Sequence, residues 1–105
     1  MNPCPKEKIF RSPRLLKLAK DCPKCMACGN PNDGTIVAAH SNAQRHGKGM
    51  GIKAHDIPAY LCMSCHDEID GRSGTYNRFE RERMWLDAMF NSMVWLLVEG
   101  HLVAM

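Results

Sequence analysis

The chain has 105 residues, which is enough for one domain but not for two. Its hydrophobic fraction of 45% and charged fraction of 24% are those of a globular protein, which excludes a disordered tail and a fibrous protein. Residues 1–53 hold ten Lys and Arg against three acids, whereas residues 54–105 hold four Arg against eight acids. The first half therefore either faces a polyanion or forms a solvated basic surface.

No segment is predicted to enter a membrane. The longest uninterrupted apolar run covers residues 93–98, far fewer than the roughly 20 residues that a membrane-spanning helix needs. The N-terminal residues MNPCPKEKIFRSPR lack the apolar stretch of a secretion signal. We therefore expect a cytoplasmic protein with no membrane partner, in which six reduced cysteines have a role other than disulfide bonding.

The first predicted element follows an irregular N-terminal arm at residues 1–11. Ser12 followed by Pro13 is typical of an N-cap and a first helical position, and predicts a short helix that ends near Asp21. Residues 22–32 are rich in Cys, Pro, Gly and Asn, a composition that indicates tight turns around a ligand.

Two strands and a helix are predicted next. The β-branched run TIVAA at residues 35–39 predicts a buried strand with His40 at its end. Residues 41–56 are glycine-rich and basic and predict a long loop of a kind that is usually either functional or disordered. Residues 59–61 predict a second, short strand, after which the run CMSCHDEID, from residue 62 on, opens a helix.

A long helix is predicted over residues 77–99, because Asn77 and Glu80 have the spacing of a capping box. Apolar residues at helical spacing predict the face that this helix buries, namely Phe79, Leu86, Met89 or Phe90, Met93 and Leu97. The element order predicts a single α+β domain, residues 1–105, with its core at residues 12–76 and a long C-terminal helix.

Two CxxC pairs, Cys25/Cys28 and Cys62/Cys65, predict a structural zinc site, because two such pairs complete a tetrahedron of thiolates. Zinc binding is coupled to folding and contributes on the order of 10 kcal/mol, which a core this small would lack. Cys22 forms an overlapping CxxC with Cys25, so ligation by Cys22 and Cys28 is an alternative.

Dithiol redox chemistry is the competing interpretation of the cysteines. No thioredoxin-like βαβ pattern surrounds the two pairs, and paired cysteines of this kind bind zinc more readily than they alternate between dithiol and disulfide. Cys4, near the start of the chain between two prolines, is expected to take no part.

Two histidines are candidate catalytic residues. His40 ends the first predicted strand, and His66 follows Cys65 in the helix that the zinc anchors. A strand-end histidine facing a helix-borne histidine suits metal-assisted phosphodiester hydrolysis, in which one imidazole deprotonates water and the other holds a divalent ion. In the alternative interpretation, His66 only donates a hydrogen bond to a zinc-bound thiolate.

The order CxxC, strand, His40, glycine-rich loop and CxxCH at a helix start resembles the HNH endonucleases, whose fold is a zinc-stapled ββα-metal or treble-clef finger. The segments RSPRLLKLAKDC, VAAHSN, GKGMGIKAHDIPAYLC and CHDEID, within residues 11–72, resemble the YbcO-like family of small phage and prophage nuclease-associated proteins, relatives of the phage Ref nuclease.

The resemblance implies a metal-dependent DNA endonuclease or nickase. It implies that His40 is the general base, that His66 binds the catalytic divalent ion, Mg²⁺ or another, and that the four paired cysteines hold structural zinc. It also implies DNA and, as a further partner, a recombinase filament or another phage recombination protein, in a bacterial host or phage-infected cell. The loop cations expected to contact DNA phosphates are Arg45, Lys48 and Lys53.

Two positions depart from the HNH pattern. Ala39 stands where many HNH enzymes place an acidic or histidine metal ligand, and Ile57 stands near the position of the central Asn. Asp56, His55 or His46 could substitute. The alternative function is therefore a non-catalytic, zinc-stabilised module that binds nucleic acid or a recombination protein.

Overall fold

The computed structural model describes residues 9–43, 54–72 and 74–102. The described elements, in chain order, are helix α1 (Pro13–Lys17) continued by a 3₁₀ turn (Leu18–Asp21), strands β1 (Val37–Ala39) and β2 (Ala59–Leu61), helix α2 (Met63–Ile69) and helix α3 (Arg78–Val98). These elements form a small α+β fold with a two-stranded sheet. Strand β1 is two residues shorter than predicted, while β2 has the predicted bounds.

Helix α1 begins where the sequence predicts it. The Ser12 hydroxyl accepts a hydrogen bond from the backbone N–H of Leu15 at 3.2 Å, and Pro13 occupies the first helical position. Leu15 is buried, and its carbonyl accepts a hydrogen bond from the Tyr60 hydroxyl at 2.5 Å. This contact fixes the short helix against strand β2, which a five-residue helix needs because it cannot persist alone.

The two strands pair antiparallel, with Val37 opposite Leu61, Ala38 opposite Tyr60 and Ala39 opposite Ala59. All three residues of β2 are fully buried, so the strand is covered on both faces. This register places the residue after β1 beside the residues that lead into β2. The end of one strand and the approach to the other therefore form one edge of the sheet.

Helices α2 and α3 follow the sheet in the chain. Helix α2 starts directly after β2, with Cys62 as its N-cap residue. Helix α3 starts at the predicted capping box, in which Asn77 accepts from the backbone N–H of Glu80 at 2.8 Å and Glu80 accepts from that of Asn77 at 2.9 Å. This confirms the helix start predicted from the sequence.

Helix α3 packs on the sheet through small residues and one indole. The backbone N–H of Tyr60 donates to the Ser92 hydroxyl at 2.9 Å, and that hydroxyl donates to the carbonyl of Ala88 at 2.7 Å. The indole N–H of Trp85 donates to the carbonyl of Ala39 at 3.0 Å. Both strands are therefore held to α3 by hydrogen bonds as well as by apolar contact.

The predicted buried face of α3 is confirmed only in part: Leu86 and Met89 pack, partly buried, against the core. The buried residues are Trp85, Ala88, Ser92 and Leu96, whereas Phe79 is 76% exposed and Phe90 is 66% exposed. Small side chains at the contact allow the backbone of β2 to approach α3 closely. The face that α3 buries therefore carries fewer large apolar residues than predicted.

None of the described helices is long and apolar enough to cross a lipid bilayer.

Candidate active site and metal centre

The first CxxC pair lies on a tight turn. The backbone N–H of Cys25 donates to the carbonyl of Asn30 at 2.8 Å, and the N–H of Gly29 donates back to the carbonyl of Cys25 at 2.9 Å. Gly29 has φ +80°, a conformation that favours glycine. The N–H of Cys28 points at the sulfur of Cys25 at 3.5 Å, so this turn directs both sulfurs to the same side.

The second pair lies at the start of α2, where Cys62 is the N-cap and Cys65 is in the first turn. The sulfur atoms of Cys25, Cys28, Cys62 and Cys65 all lie within 4.8 Å of one another. Those of Cys28 and Cys62 are 3.8 Å apart, and a tetrahedral zinc ion with bonds of about 2.3 Å requires sulfurs about 3.8 Å apart. The four cysteines can therefore hold a metal ion, and their spacing is consistent with structural zinc.

Cys22, the alternative ligand, lies outside this cluster. Its side chain is buried, and its thiol donates to the carbonyl of Lys24 at 3.2 Å. Among the described cysteines, Cys25 is thus the partner of Cys28 in the cluster. Cys4 lies outside the described residues.

The thiol pKa values show how the cluster favours a cation. Burial would raise the pKa of Cys25, but N–H groups of Cys28, Cys62 and Ala27 that point at its sulfur outweigh burial and lower the pKa to about 7. Burial and the neighbouring sulfurs raise the pKa of Cys62 and of Cys65. Four thiolates this close repel one another, so full ionisation requires a bound metal cation.

A buried carboxylate holds His40 at the sheet edge. Asp56 is 3% exposed, and its Oδ1 lies 2.6 Å from Nε2 of His40. The same oxygen lies 3.3 Å from the guanidinium of Arg11, while Oδ2 accepts from the backbone N–H of Ser12 at 2.8 Å. Asp56 is one of the residues proposed to replace the central Asn, and it is in direct contact with the imidazole.

Asp56 is ionised at neutral pH. Burial would raise its pKa, but hydrogen bonds from His40 and Ser12 and the positive charge of Arg11 outweigh burial and lower it. An ionised carboxylate only accepts hydrogen bonds, so Nε2 of His40 carries the hydrogen. Nδ1 of His40 is then the nitrogen that can take up a proton.

His66 pairs with an acid one turn further along α2. Its Nε2 lies 3.4 Å from Oδ2 of Asp70, and the side chains of both residues are about one quarter exposed, at 26% and 24%. Oδ1 of Asp70 accepts from the Asn42 amide at 2.9 Å. Because Asn42 follows His40 by two residues, this hydrogen bond ties the end of β1 to the helix that carries His66.

The described structure thus places the two histidines in adjoining networks. His40 and His66 make no hydrogen bond to each other within the described ranges. Asp70 and Arg11 were not among the residues predicted from the sequence. The spacing of four between His66 and Asp70 was a usable signal, whereas Arg11 meets Asp56 across 45 residues, and no local pattern indicates that contact.

Of the other predicted site residues, one is described by the structure and four are not. His55 accepts a hydrogen bond from the backbone N–H of Phe10 at 2.9 Å and so holds the N-terminal segment. The remaining candidates lie outside the described residues; they are Arg45, His46, Lys48 and Lys53.

Comparison with known proteins gives one match. A family model described as "Putative nuclease YbcO" matches residues 14–100. No curated protein and no solved structure matches the chain. The matched span includes both CxxC pairs, His40, His66 and helix α3. Because this match covers most of the chain, the chain belongs to the family that the model describes as "Putative nuclease YbcO".

Proposed function

We propose that the protein is an HNH-type, metal-dependent DNA endonuclease or nickase that hydrolyses phosphodiester bonds. The observation that carries this proposal is the contact between His40 and the buried, ionised carboxylate of Asp56 at the sheet edge. In this proposal the elements β1, β2 and α2, together with the cluster of four cysteines, form a ββα-metal, treble-clef arrangement.

His40 acts as the general base. Asp56 keeps the hydrogen on Nε2 and favours the imidazolium that forms when Nδ1 takes a proton from the attacking water. Arg11 and the N–H of Ser12 hold the carboxylate in place. A base fixed in one tautomer and one orientation needs no rearrangement before the proton moves, which is the reason for a buried partner.

His66 and Asp70 are the residues that would hold the catalytic divalent ion. They offer an imidazole nitrogen and a carboxylate oxygen 3.4 Å apart on one face of α2, and both side chains are accessible. Two protein ligands suit a nuclease ion, because Mg²⁺ keeps waters and takes its other ligands from substrate phosphates. When bound, such an ion neutralises the charge that develops on the phosphate and the leaving oxygen. Asp70 then replaces the acidic ligand that is absent at Ala39.

The four-cysteine cluster has a structural role in this proposal. Zinc there joins the turn at Cys25 and Cys28 to the start of α2, one turn before the position of His66. The metal therefore sets the orientation of the helix that carries the second site. All four of its ligands are protein sulfurs, which leaves no open position for chemistry.

The resemblance to phage and prophage nuclease-associated proteins supports DNA as the substrate, with a recombinase filament or another recombination protein as a partner. The second candidate function is a non-catalytic zinc module that binds nucleic acid or such a protein. Ala39 favours this second candidate, because it cannot bind an ion. The two candidates differ in whether the chain itself breaks a phosphodiester bond.

Nicking of supercoiled plasmid tests the proposal. We expect the wild type to nick with Mg²⁺, Mn²⁺ or Ni²⁺ and to be inactive without a divalent ion. Asp70→Asn should raise the ion concentration needed by about tenfold or more, because an amide binds a divalent ion more weakly than a carboxylate. The matched control is Asp67→Asn on the same helix, where Asp67 pairs with Arg72. A wild type that binds plasmid but nicks it with none of these ions identifies the binding module.

A further inference from the structure

A cavity of about 250 Å³ opens where three parts of the chain meet. The segment after β1 contributes Asn42, the end of α2 contributes Asp70, and the first turns of α3 contribute Arg78 and Arg81. Trp85 closes one wall. We call this cavity the arginine cleft. The phosphate contacts predicted from the sequence are Arg45, Lys48 and Lys53. Neither arginine of the cleft has a role in the proposed function.

The guanidinium of Arg81 lies directly over the backbone of Gly71. A Cβ built on Gly71 would overlap Nη1 of Arg81, so the guanidinium rests against this glycine. Gly71 also has φ +81°, which glycine adopts without strain. The guanidinium of Arg81, which lines the arginine cleft, therefore lies against the turn that follows α2.

Neither arginine of the arginine cleft is paired with an acidic side chain in the described structure. In the described part of the chain, the side chains of Arg78 and Arg81 make no ion pair and no hydrogen bond. Arg72, close to them in the sequence, instead lies 2.9 Å from Asp67. Two acidic residues, Asp70 and Glu82, also line the cleft. The carboxylate of Asp70 is already engaged by Asn42, His66 and Arg72.

The positive charges of the two arginines destabilise the start of α3. Arg78 and Arg81 lie in the first four residues of α3, where the helix dipole disfavours positive charge. A planar guanidinium matches the oxygens of a phosphate and donates two parallel hydrogen bonds to it. Two unpaired guanidinium groups at one cavity are therefore suited to an anionic ligand of that geometry.

The arginine cleft adjoins the site proposed for catalysis. Asp70 lines the cleft through the same side chain that lies 3.4 Å from Nε2 of His66. A phosphate between Arg78 and Arg81 would thus be a near neighbour of a phosphate at His66. Successive phosphates along one nucleic-acid strand are neighbours of this kind.

We propose that Arg81 and Arg78 bind a backbone phosphate of the nucleic-acid strand, next to the phosphate that is cleaved. This inference rests on the proposed function, since it takes the strand to pass His66. The two arginines are positioning residues: they fix the register of the strand and do not touch the bond that breaks. Such contacts carry no sequence information, so binding through the arginine cleft is independent of base sequence.

The test measures binding of a short fluorescein-labelled DNA duplex by fluorescence anisotropy, in buffer without added divalent ion. We expect Arg81→Gln to weaken binding about tenfold, since a charge-assisted contact to phosphate is lost. The slope of log affinity against log salt should fall by about 0.9 for that lost contact. Arg81→Lys keeps the charge but not the paired donors, so its DNA affinity should lie between those of the wild type and Arg81→Gln.

Arg83→Gln is the matched control, because Arg83 is exposed on the same helix and does not line the cleft. We expect it to leave the salt slope unchanged. Equal effects of Arg81→Gln and Arg83→Gln on affinity and slope would overturn the inference. Arg78→Gln at an exposed position repeats the test if Arg81→Gln does not fold.

The same data separate this inference from the proposed function. Weaker binding by Arg81→Gln together with a wild type that does not nick plasmid would support the arginine cleft and contradict the nuclease proposal. Nicking by the wild type together with identical binding by Arg81→Gln and Arg83→Gln would support the nuclease and overturn the arginine cleft.

Discussion

Nε2 of His40 lies 2.6 Å from Oδ1 of Asp56, across sixteen residues of chain. The antiparallel pairing of β1 and β2 brings these residues together, because Ala39 opposite Ala59 places the next residue, His40, beside the approach to β2. Arg11 and the backbone N–H of Ser12, near the start of the chain, also contact the carboxylate of Asp56. The position of His40, the proposed base, is therefore set by segments that are distant in the sequence.

Replacement of Asp56 tests the role of that carboxylate. Asp56→Asn removes the charge that favours a protonated His40, so we expect nicking to fall about 10- to 100-fold while DNA affinity stays unchanged. The measurements are initial nicking rates and anisotropy with the same DNA. Arg11→Gln is the control, because it removes the neighbouring cation but keeps the contact of Asp56 with His40; its loss should be smaller. Rates within twofold of the wild type for Asp56→Asn would contradict this role.

The identity of the metal ligands can be tested with a pair of neighbouring cysteines. We expect one zinc per chain in the wild type and in Cys22→Ser, because Cys22 lies outside the cluster. Cys25→Ser should lose zinc and unfold at a lower temperature, since metal binding is coupled to folding. Elemental analysis and thermal denaturation measure both effects. A Cys22→Ser variant without zinc beside a Cys25→Ser variant with zinc would reverse the assignment.

Zinc affinity should increase with pH. The pKa values of Cys62 and Cys65 are raised, so these thiols are protonated at neutral pH when no metal is bound and must release protons to bind zinc. Cys25, with its pKa lowered to about 7, is already half ionised at neutral pH, so it adds less to the increase of zinc affinity at higher pH. Competition with a chromophoric chelator at pH 6, 7 and 8 measures the trend. An affinity that does not change over this range would contradict thiolate ligation.

Ser92 should be important for stability. Its hydroxyl accepts from the backbone N–H of Tyr60 and is fully buried, so Ser92→Ala leaves that N–H without its partner. We expect a loss of about 1 to 3 kcal/mol in the free energy of unfolding, measured by urea denaturation with zinc present. Ser64→Ala, at an exposed position of α2, is the control and should change stability by less than about 0.5 kcal/mol. Equal losses in the two variants would contradict the role of Ser92.

Local signals in the sequence predicted the elements well. The Ser12 cap, the Asn77 and Glu80 capping box and the β-branched run before His40 each depend on residues a few positions apart. The two CxxC pairs also have a fixed local geometry, and the four cysteines do lie together. Short-range backbone chemistry is therefore enough to locate these features.

The missed features depend on packing between distant segments. Helix α3 turns Ala88 and Ser92 toward β2 because the strand backbone needs close approach and a hydrogen-bond partner, and apolar periodicity does not report either need. The guanidinium of Arg81 lies against Gly71, in the turn after a different helix, and no local pattern indicates this contact. The candidate site shows the same division: Asp56 was among the candidates predicted from the sequence, whereas its contact with Arg11 spans 45 residues and required the fold.

The most direct test of the account is the plasmid nicking rate of His40→Ala beside that of the wild type with the same divalent ion. We expect the variant to lose at least about 100-fold, because the water would have no base. His101→Ala, a histidine that lies against Trp95 near the end of α3, should keep the wild-type rate. A His40→Ala variant that keeps its zinc and fold and nicks as fast as the wild type would contradict the account.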